Sequence, residues 1–217
     1  MKRRDWILVA LILAILSTVL YFSYRMHQHG AHEVGGVRSK CATTVCPHTF
    51  ISWNIANFGK SHSELEVEQM AKILAPADIV AVQEVTARKG FGAQAVARLA
   101  DALSRTGSSW DYIVSDPTKS PSGSVERYAY LWKKHVVGAN RDTAYLVAEL
   151  EQSVDREPFT FQVNPSNAKP VQLFTIHAVP TAKNPIVEVR TFPESQSLQS
   201  VERAIVTGDF NLPASKT

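Results

Sequence analysis

Cysteine is nearly absent from this 217-residue chain, and Cys41 and Cys46 are the only two. A disulfide-dense secreted scaffold is therefore excluded. The CATTVC spacing matches no zinc pattern even with His48 nearby, so a small local disulfide is favoured over a metal site. Charge of one sign is also scarce, with 23 basic against 20 acidic residues and a net +3. The excess sits in Met1–Arg25, where Lys2, Arg3, Arg4 and Arg25 face Asp5 alone, and beyond it the charges balance. The bulk basic footprint of a DNA-packaging protein is absent, so any nucleic acid has to be held by a local site. Repeats and low-complexity tracts are missing as well. An apolar share of 45% excludes a disordered or collagen-like chain.

One long apolar run is present, the uncharged stretch Trp6–Phe22. Its length lies at the short end of what spans a bilayer as a helix. Lys2, Arg3 and Arg4 precede it and place the N-terminus on the cytoplasmic side. Trp6, Tyr21, Phe22 and Tyr24 stand where interfacial aromatics belong. A cleaved signal peptide is the competing reading, but the run has no clear A-x-A site and is followed by bulky residues. Residues 1–25 thus read as an uncleaved transmembrane signal anchor and 26–49 as a linker. Either reading exports the rest, to a periplasmic or extracellular location.

The remainder reads as mixed α/β. Strands are expected at Phe50–Ala56, Asp78–Val85, Trp110–Ser115, Arg127–Trp132, Tyr145–Leu150, Phe159–Val163, Val171–Ala178 and Arg203–Thr207. Ser63 and Glu66 form a capping-box pattern ahead of a helix through Leu65, Val67, Met70, Ile73 and Leu74, ended by Pro76. A second helix is expected over Phe91–Arg105 and a weak one near Glu194–Glu202.

Four polar clusters adjoin apolar strand sequence: Asn54 in SWNIANFG, Glu84 in VAVQEV, His177 in FTIHAVP, and Asp209 with Asn211 in TGDFNLP. Carboxylate and amide oxygens are ligands for a hard ion such as Mg²⁺ or Mn²⁺. A histidine beside such an ion suits acid–base work near neutral pH. Each element alone has a plain structural explanation, a solvated strand end or a turn. Their joint occurrence suits attack of water on a phosphodiester.

Together the stretches WNIANFG (53–59), DIVAVQEV (78–85), ERYAYLWKK (126–134), REPF (156–159), IHAVP (176–180) and GDFNLP (208–213) resemble the endonuclease/exonuclease/phosphatase superfamily. ERY and REP point to its deoxyribonuclease I-like branch. The resemblance covers 50–217 and implies a four-layer α/β/β/α sandwich. It implies Asn54 and Glu84 as metal ligands and His177 as a catalytic histidine oriented by Glu126. It further implies that Asp209 and Asn211 position water or metal and stabilise phosphorane oxygens, and that Arg156 contacts phosphate with support from Arg127. The implied cofactor is Mg²⁺, with Mn²⁺ as an alternative and Ca²⁺ as a structural ion. The implied partner is DNA, held by its backbone with low sequence specificity. A phosphatase or a sphingomyelinase-type phospholipid phosphodiesterase of the same superfamily is the alternative, and a non-catalytic remnant a third.

After GDFN the family continues with a late-strand aspartate and an S-D-H motif carrying a second catalytic histidine. No histidine follows His177 here. The sequence therefore leads us to expect a C-terminally truncated domain, lacking strands of the second sheet and weakly active or inactive as this chain.

Overall fold

A computed structural model describes residues 48–166 and 168–213, within the unit Val45–Thr217. The anchor expected at 1–25, most of the linker, and Cys41 and Cys46 lie outside the described residues. Among the described residues no helix is long and apolar enough to cross a membrane.

The described residues form two four-stranded sheets. The first contains β1 (Phe50–Phe58), β2 (Ile79–Thr86), β3 (Trp110–Val114) and β4 (Glu126–Lys133), in the order β1-β2-β4-β3. β1 and β2 are parallel, and the other two pairings are antiparallel. The second contains β5 (Val137–Leu146), β6 (Phe159–Pro165), β7 (Val171–His177) and β8 (Ala204–Asp209), in sequence order. Only β7 and β8 run parallel there.

Parallel neighbours need a crossover, and α1 (Glu64–Leu74) supplies it between β1 and β2. Its start is fixed by the capping box: Ser63 Oγ accepts from the Glu66 amide, while the Glu66 carboxylate accepts from the Ser63 amide at 2.6 Å. Val67, Ala71 and Leu74, spaced by four and three, form its buried line. Leu65 and Ile73, expected in that stripe, are 65% and 60% exposed, since Leu65 lies two residues before Val67 and Ile73 falls between Ala71 and Leu74, both off the line. α2 (Phe91–Ser104) buries Val96, Leu99, Ala100 and Leu103 as its spacing predicts.

Strand alternation divides the core. On β4, Ala129 and Leu131 meet the helices, whereas Tyr128, Tyr130 and Trp132 face the second sheet. There the Tyr130 ring stacks on Phe159 and Phe161 with centroids 5.4 and 5.6 Å apart. On the far side, Phe174 and Val147 pack with Phe192 and Leu198 of the helical stretch formed by α3 (Ile186–Thr191), a 3₁₀ turn (Phe192–Glu194) and α4 (Gln196–Gln199). The order of layers is helix, sheet, sheet, helix, the expected α/β/β/α arrangement.

Two expectations are corrected. The strand predicted at Tyr145–Leu150 is the tail of β5, which begins at Val137, followed by a 3₁₀ turn over Ala148–Leu150. β5 is polar and largely exposed, with a bulge between Asn140 and Tyr145, so no clean alternation marks it. The helix predicted near Glu194–Glu202 is a chain of short helical pieces starting at Ile186, interrupted where Pro193 cannot donate a backbone hydrogen bond.

Candidate active site

Glu126 is the first residue of β4 and shares its inward face with Tyr128, so its carboxylate enters the gap between the sheets. His177 ends β7, opposite. Its Nδ1 lies 2.9 and 3.0 Å from the two Glu126 oxygens, and both side chains are about nine-tenths buried. A carboxylate only accepts here, so it fixes the proton on Nδ1 and leaves Nε2 as the free ring nitrogen. Nε2 is turned towards Glu84, 4.0 Å from Oε1. Below the ring, the His177 amide donates to the Tyr128 hydroxyl at 3.2 Å. Burial holds that phenol well above its ordinary pKa, so it stays protonated.

The first sheet delivers Asn54 and Glu84 through paired irregularities. Pairing of β1 with β2 shifts between Asn54 and Phe58, and pairing of β2 with β4 shifts between Val82 and Val85. Glu84 has φ 59° and Asn57 φ 53°, positive values unusual for residues other than glycine. The bulges turn Glu84 out of the alternation, and the Asn57 amide donates to its Oε2 at 3.0 Å. Asn54 Nδ2 donates to Glu84 Oε1 at 2.8 Å and to Asp209 Oδ2 at 3.0 Å, joining the two sheets.

β8 carries Asp209 into register with His177. Close approach of the two strands requires Gly208, since a Cβ there would stand 2.0 Å from the Ile176 carbonyl oxygen. Asn211, at φ 51°, donates its amide to Asp209 Oδ1 and its Nδ2 to the Ala178 carbonyl.

Glu84, Glu126, Arg156, His177, Asp209 and Asn211 therefore line one open cleft of ≈ 930 Å³, with Asn54 hydrogen-bonded at its floor. Among the described residues no group of three or more His, Cys, Asp or Glu side chains is arranged as a metal site. The amide of Asn54 supplies what that composition omits. Its Oδ1 is buried without a hydrogen-bond partner, while its Nδ2 bridges the Glu84 and Asp209 carboxylates. An orphaned amide oxygen on the residue that joins two carboxylates fits a hard divalent cation held by oxygen donors.

The two expected phosphate-binding arginines part company, Arg156 at the cleft and Arg127 away from it. Arg156 is 6% exposed and donates from Nε to the His177 carbonyl and from Nη2 to the Ala178 carbonyl, each at 2.9 Å. Those two donors hold the loop after β7, while the residue as a whole still lines the cleft. Arg127 follows Glu126 on β4 and so takes the opposite face, where Nη1 donates to the Ser115 carbonyl at 2.6 Å.

Several further residues contribute. Tyr128, the third residue of the ERY stretch, is one. Asp155 is another: burial alone would raise its pKa, but hydrogen bonds from Ser122 and Ser120, with Arg156 nearby, hold it below the ordinary value. It ties down the 120–124 loop, whose Gly123 and Ser124 form part of the cleft wall. The opposite wall includes Lys60 and Arg88, from the loops after β1 and β2, and Phe91, the first residue of α2. The signal available for these was position, since loops beyond the carboxyl ends of parallel strands border such clefts.

The fold defined by these two sheets is found among solved structures described as endonuclease/exonuclease/phosphatase family proteins. A protein described as belonging to that family, from Bacteroides thetaiotaomicron, is 14% identical and has a TM-score of 0.54, covering 77% of this chain and 63% of its own. D. rerio TDP2 complexed with single strand DNA product is 19% identical with a TM-score of 0.50, covering 78% and 62%. ANGEL2, a 2',3'-cyclic phosphatase in complex with adenosine-2',3'-vanadate, is 14% identical with a TM-score of 0.51, covering 77% and 55%. This chain thus spans less than two thirds of the length of each. No protein-family model and no curated protein matches the sequence.

Proposed function

We propose that this protein is a hydrolase of the endonuclease/exonuclease/phosphatase superfamily, a divalent-cation-supported phosphodiesterase acting on nucleic acid, most closely a deoxyribonuclease I-like endonuclease. The observation that carries the reading is the His177–Glu126 pair, buried and bidentate, facing the Asn54–Glu84–Asp209 cluster across one cleft. The DNA product in the TDP2 structure and the nucleotide vanadate in ANGEL2 support a phosphate ester of a nucleotide as the ligand class.

In this reading a phosphodiester enters with its phosphorus near His177 Nε2. A water oxygen bonds to phosphorus while the opposite P–O bond breaks, Nε2 takes the proton that the water loses, and the departing oxygen takes a proton from solvent. Glu126 stabilises the resulting imidazolium through Nδ1–H. Asn54, Glu84 and Asp209 would hold Mg²⁺ or Mn²⁺, and such an ion, when bound, neutralises charge on the non-bridging oxygens. Arg156, by fixing the carbonyls of His177 and Ala178, keeps the imidazole-bearing loop in place. His177 is the one histidine lining the cleft among the described residues.

The test is hydrolysis of bis(p-nitrophenyl) phosphate and nicking of plasmid DNA by the purified full chain with and without Mg²⁺. Cation-dependent cleavage that falls by roughly 100-fold or more in His177→Ala is expected, the range in which acid–base groups act. Cleavage that persists in His177→Ala would assign the activity elsewhere. Release of phosphocholine from sphingomyelin without plasmid nicking would favour the lipid alternative.

A further inference from the structure

The cleft has unequal walls. The side built from Gly123, Ser124 and Val125 carries no charge, whereas the other carries Lys60 and Arg88, both exposed. Lys60 is held in place: its ammonium lies 5.4 Å from the centroid of the Phe91 ring, the first residue of α2. Arg88 opens a 3₁₀ turn in which Lys89 at φ 45° and Gly90 at φ 75° reverse the chain into that helix. Among the described residues neither Lys60 nor Arg88 takes part in an ion pair. The carboxylates that would be their natural partners, Glu84 and Asp209, are engaged with Asn54. Two cations without ion-pair partners among the described residues thus border a cleft whose floor is acidic. Because charge beyond Arg25 balances overall, they are a local feature and not part of a basic surface.

We infer that Lys60 and Arg88 form a subsite for a phosphate flanking the scissile one, so that the substrate is a polynucleotide strand rather than a phosphomonoester or an isolated small diester. This rests on the phosphodiesterase reading of the cleft. One phosphate at His177 leaves the basic wall unused, whereas a strand continuing over the loops after β1 and β2 places its next phosphate against it. Phe91 acts here as the support that holds Lys60 over the cleft. The remaining wall, small and uncharged, leaves room for sugar and base without selecting among bases, and the recognition is therefore through the backbone.

The experiment compares the full chain with the Lys60→Ala/Arg88→Ala double variant. Both residues are exposed, so the fold is retained, which circular dichroism checks. The ratio of kcat/KM on a labelled single-stranded oligonucleotide to that on bis(p-nitrophenyl) phosphate is expected to fall by about tenfold. The salt dependence of oligonucleotide binding, read by fluorescence anisotropy in EDTA, should lose about 1.4 from its log–log slope, the amount for two phosphate contacts to a single strand. An unchanged ratio together with an unchanged slope would overturn the subsite. If the wild-type chain cleaves neither substrate, the phosphodiesterase reading fails, and the anisotropy slope still decides whether the wall binds a strand. Binding to phosphatidylserine vesicles that is lost in the variant, with oligonucleotide binding intact, would assign the wall to lipid headgroups and overturn the proposal.

Discussion

Glu126 combines two properties that a glutamine separates: it accepts from His177 Nδ1, and it does so with a negative charge. Glu126→Gln keeps an acceptor in place but removes the charge that stabilises the imidazolium, so hydrolysis should fall by about 10–100-fold, as for other outer partners of functional histidines. A thermal midpoint close to wild type must accompany that loss, and a collapsed midpoint would mean that the pair is chiefly structural. Asp155 yields a pH prediction. Its folded pKa lies below the ordinary 3.8, so its contribution to stability is present above that value and is lost as pH falls through the folded one. Asp155→Asn should therefore shrink the drop in thermal midpoint between pH 6 and pH 3, and an equal drop in both proteins would contradict it. At this scale the sequence announced Asn54, Glu84, His177 and Asp209 because polar groups interrupt apolar strands. It could not announce the orientation of Arg127 and Arg156. Strand parity sends the first away from the cleft, and the backbone carbonyls of a distant loop claim the second.

Elements differ in how openly their physics is written. α1 was legible to its caps because Ser63 and Glu66 satisfy each other locally, and Ser63→Ala should cost about 1 kcal/mol in a denaturant titration. β5 was not, because a bulged, exposed edge strand can be polar on both faces and keep its pairing to β6. The bulges that aim Glu84 were equally hidden, since they depend on the register between strands and not on any residue in them. β8 shows an intermediate case, with a glycine readable as part of a turn but required by packing. Gly208→Ala would drive a Cβ into the Ile176 backbone at a φ of 135°. The expected result is separation of β8 from β7 and displacement of Asp209 from His177, seen as lost hydrolysis and a lower thermal midpoint together. Retention of both would show that the strands can part locally without moving the carboxylate.

At the scale of the whole molecule, the cleft is a product of sheet docking. Asn54, Glu84 and Glu126 come from the first sheet, and His177 and Asp209 from the second. Two kinds of contact hold the sheets together. One is apolar, the stack of Tyr130 on Phe159 and Phe161. The other is polar: Gln83, 1% exposed, donates to Thr175 Oγ1 at 2.7 Å across the gap and to Ser52 at 3.1 Å within its own sheet. Gln83 directly precedes Glu84, so its bridge sets where the bulge carrying that carboxylate sits relative to β7. The two contacts should therefore fail differently. Phe161→Leu leaves a cavity away from the cleft and should cost on the order of 1 kcal/mol while turnover of the folded fraction is kept. Gln83→Leu leaves Thr175 Oγ1 without its donor, for a cost of about 1–3 kcal/mol. It also frees Glu84 to shift, so turnover at a temperature where the variant is fully folded should drop by tenfold or more. Equal turnover per folded molecule in the two variants would mean that sheet docking as a whole, rather than the Gln83 bridge, sets the spacing between Glu84 and His177.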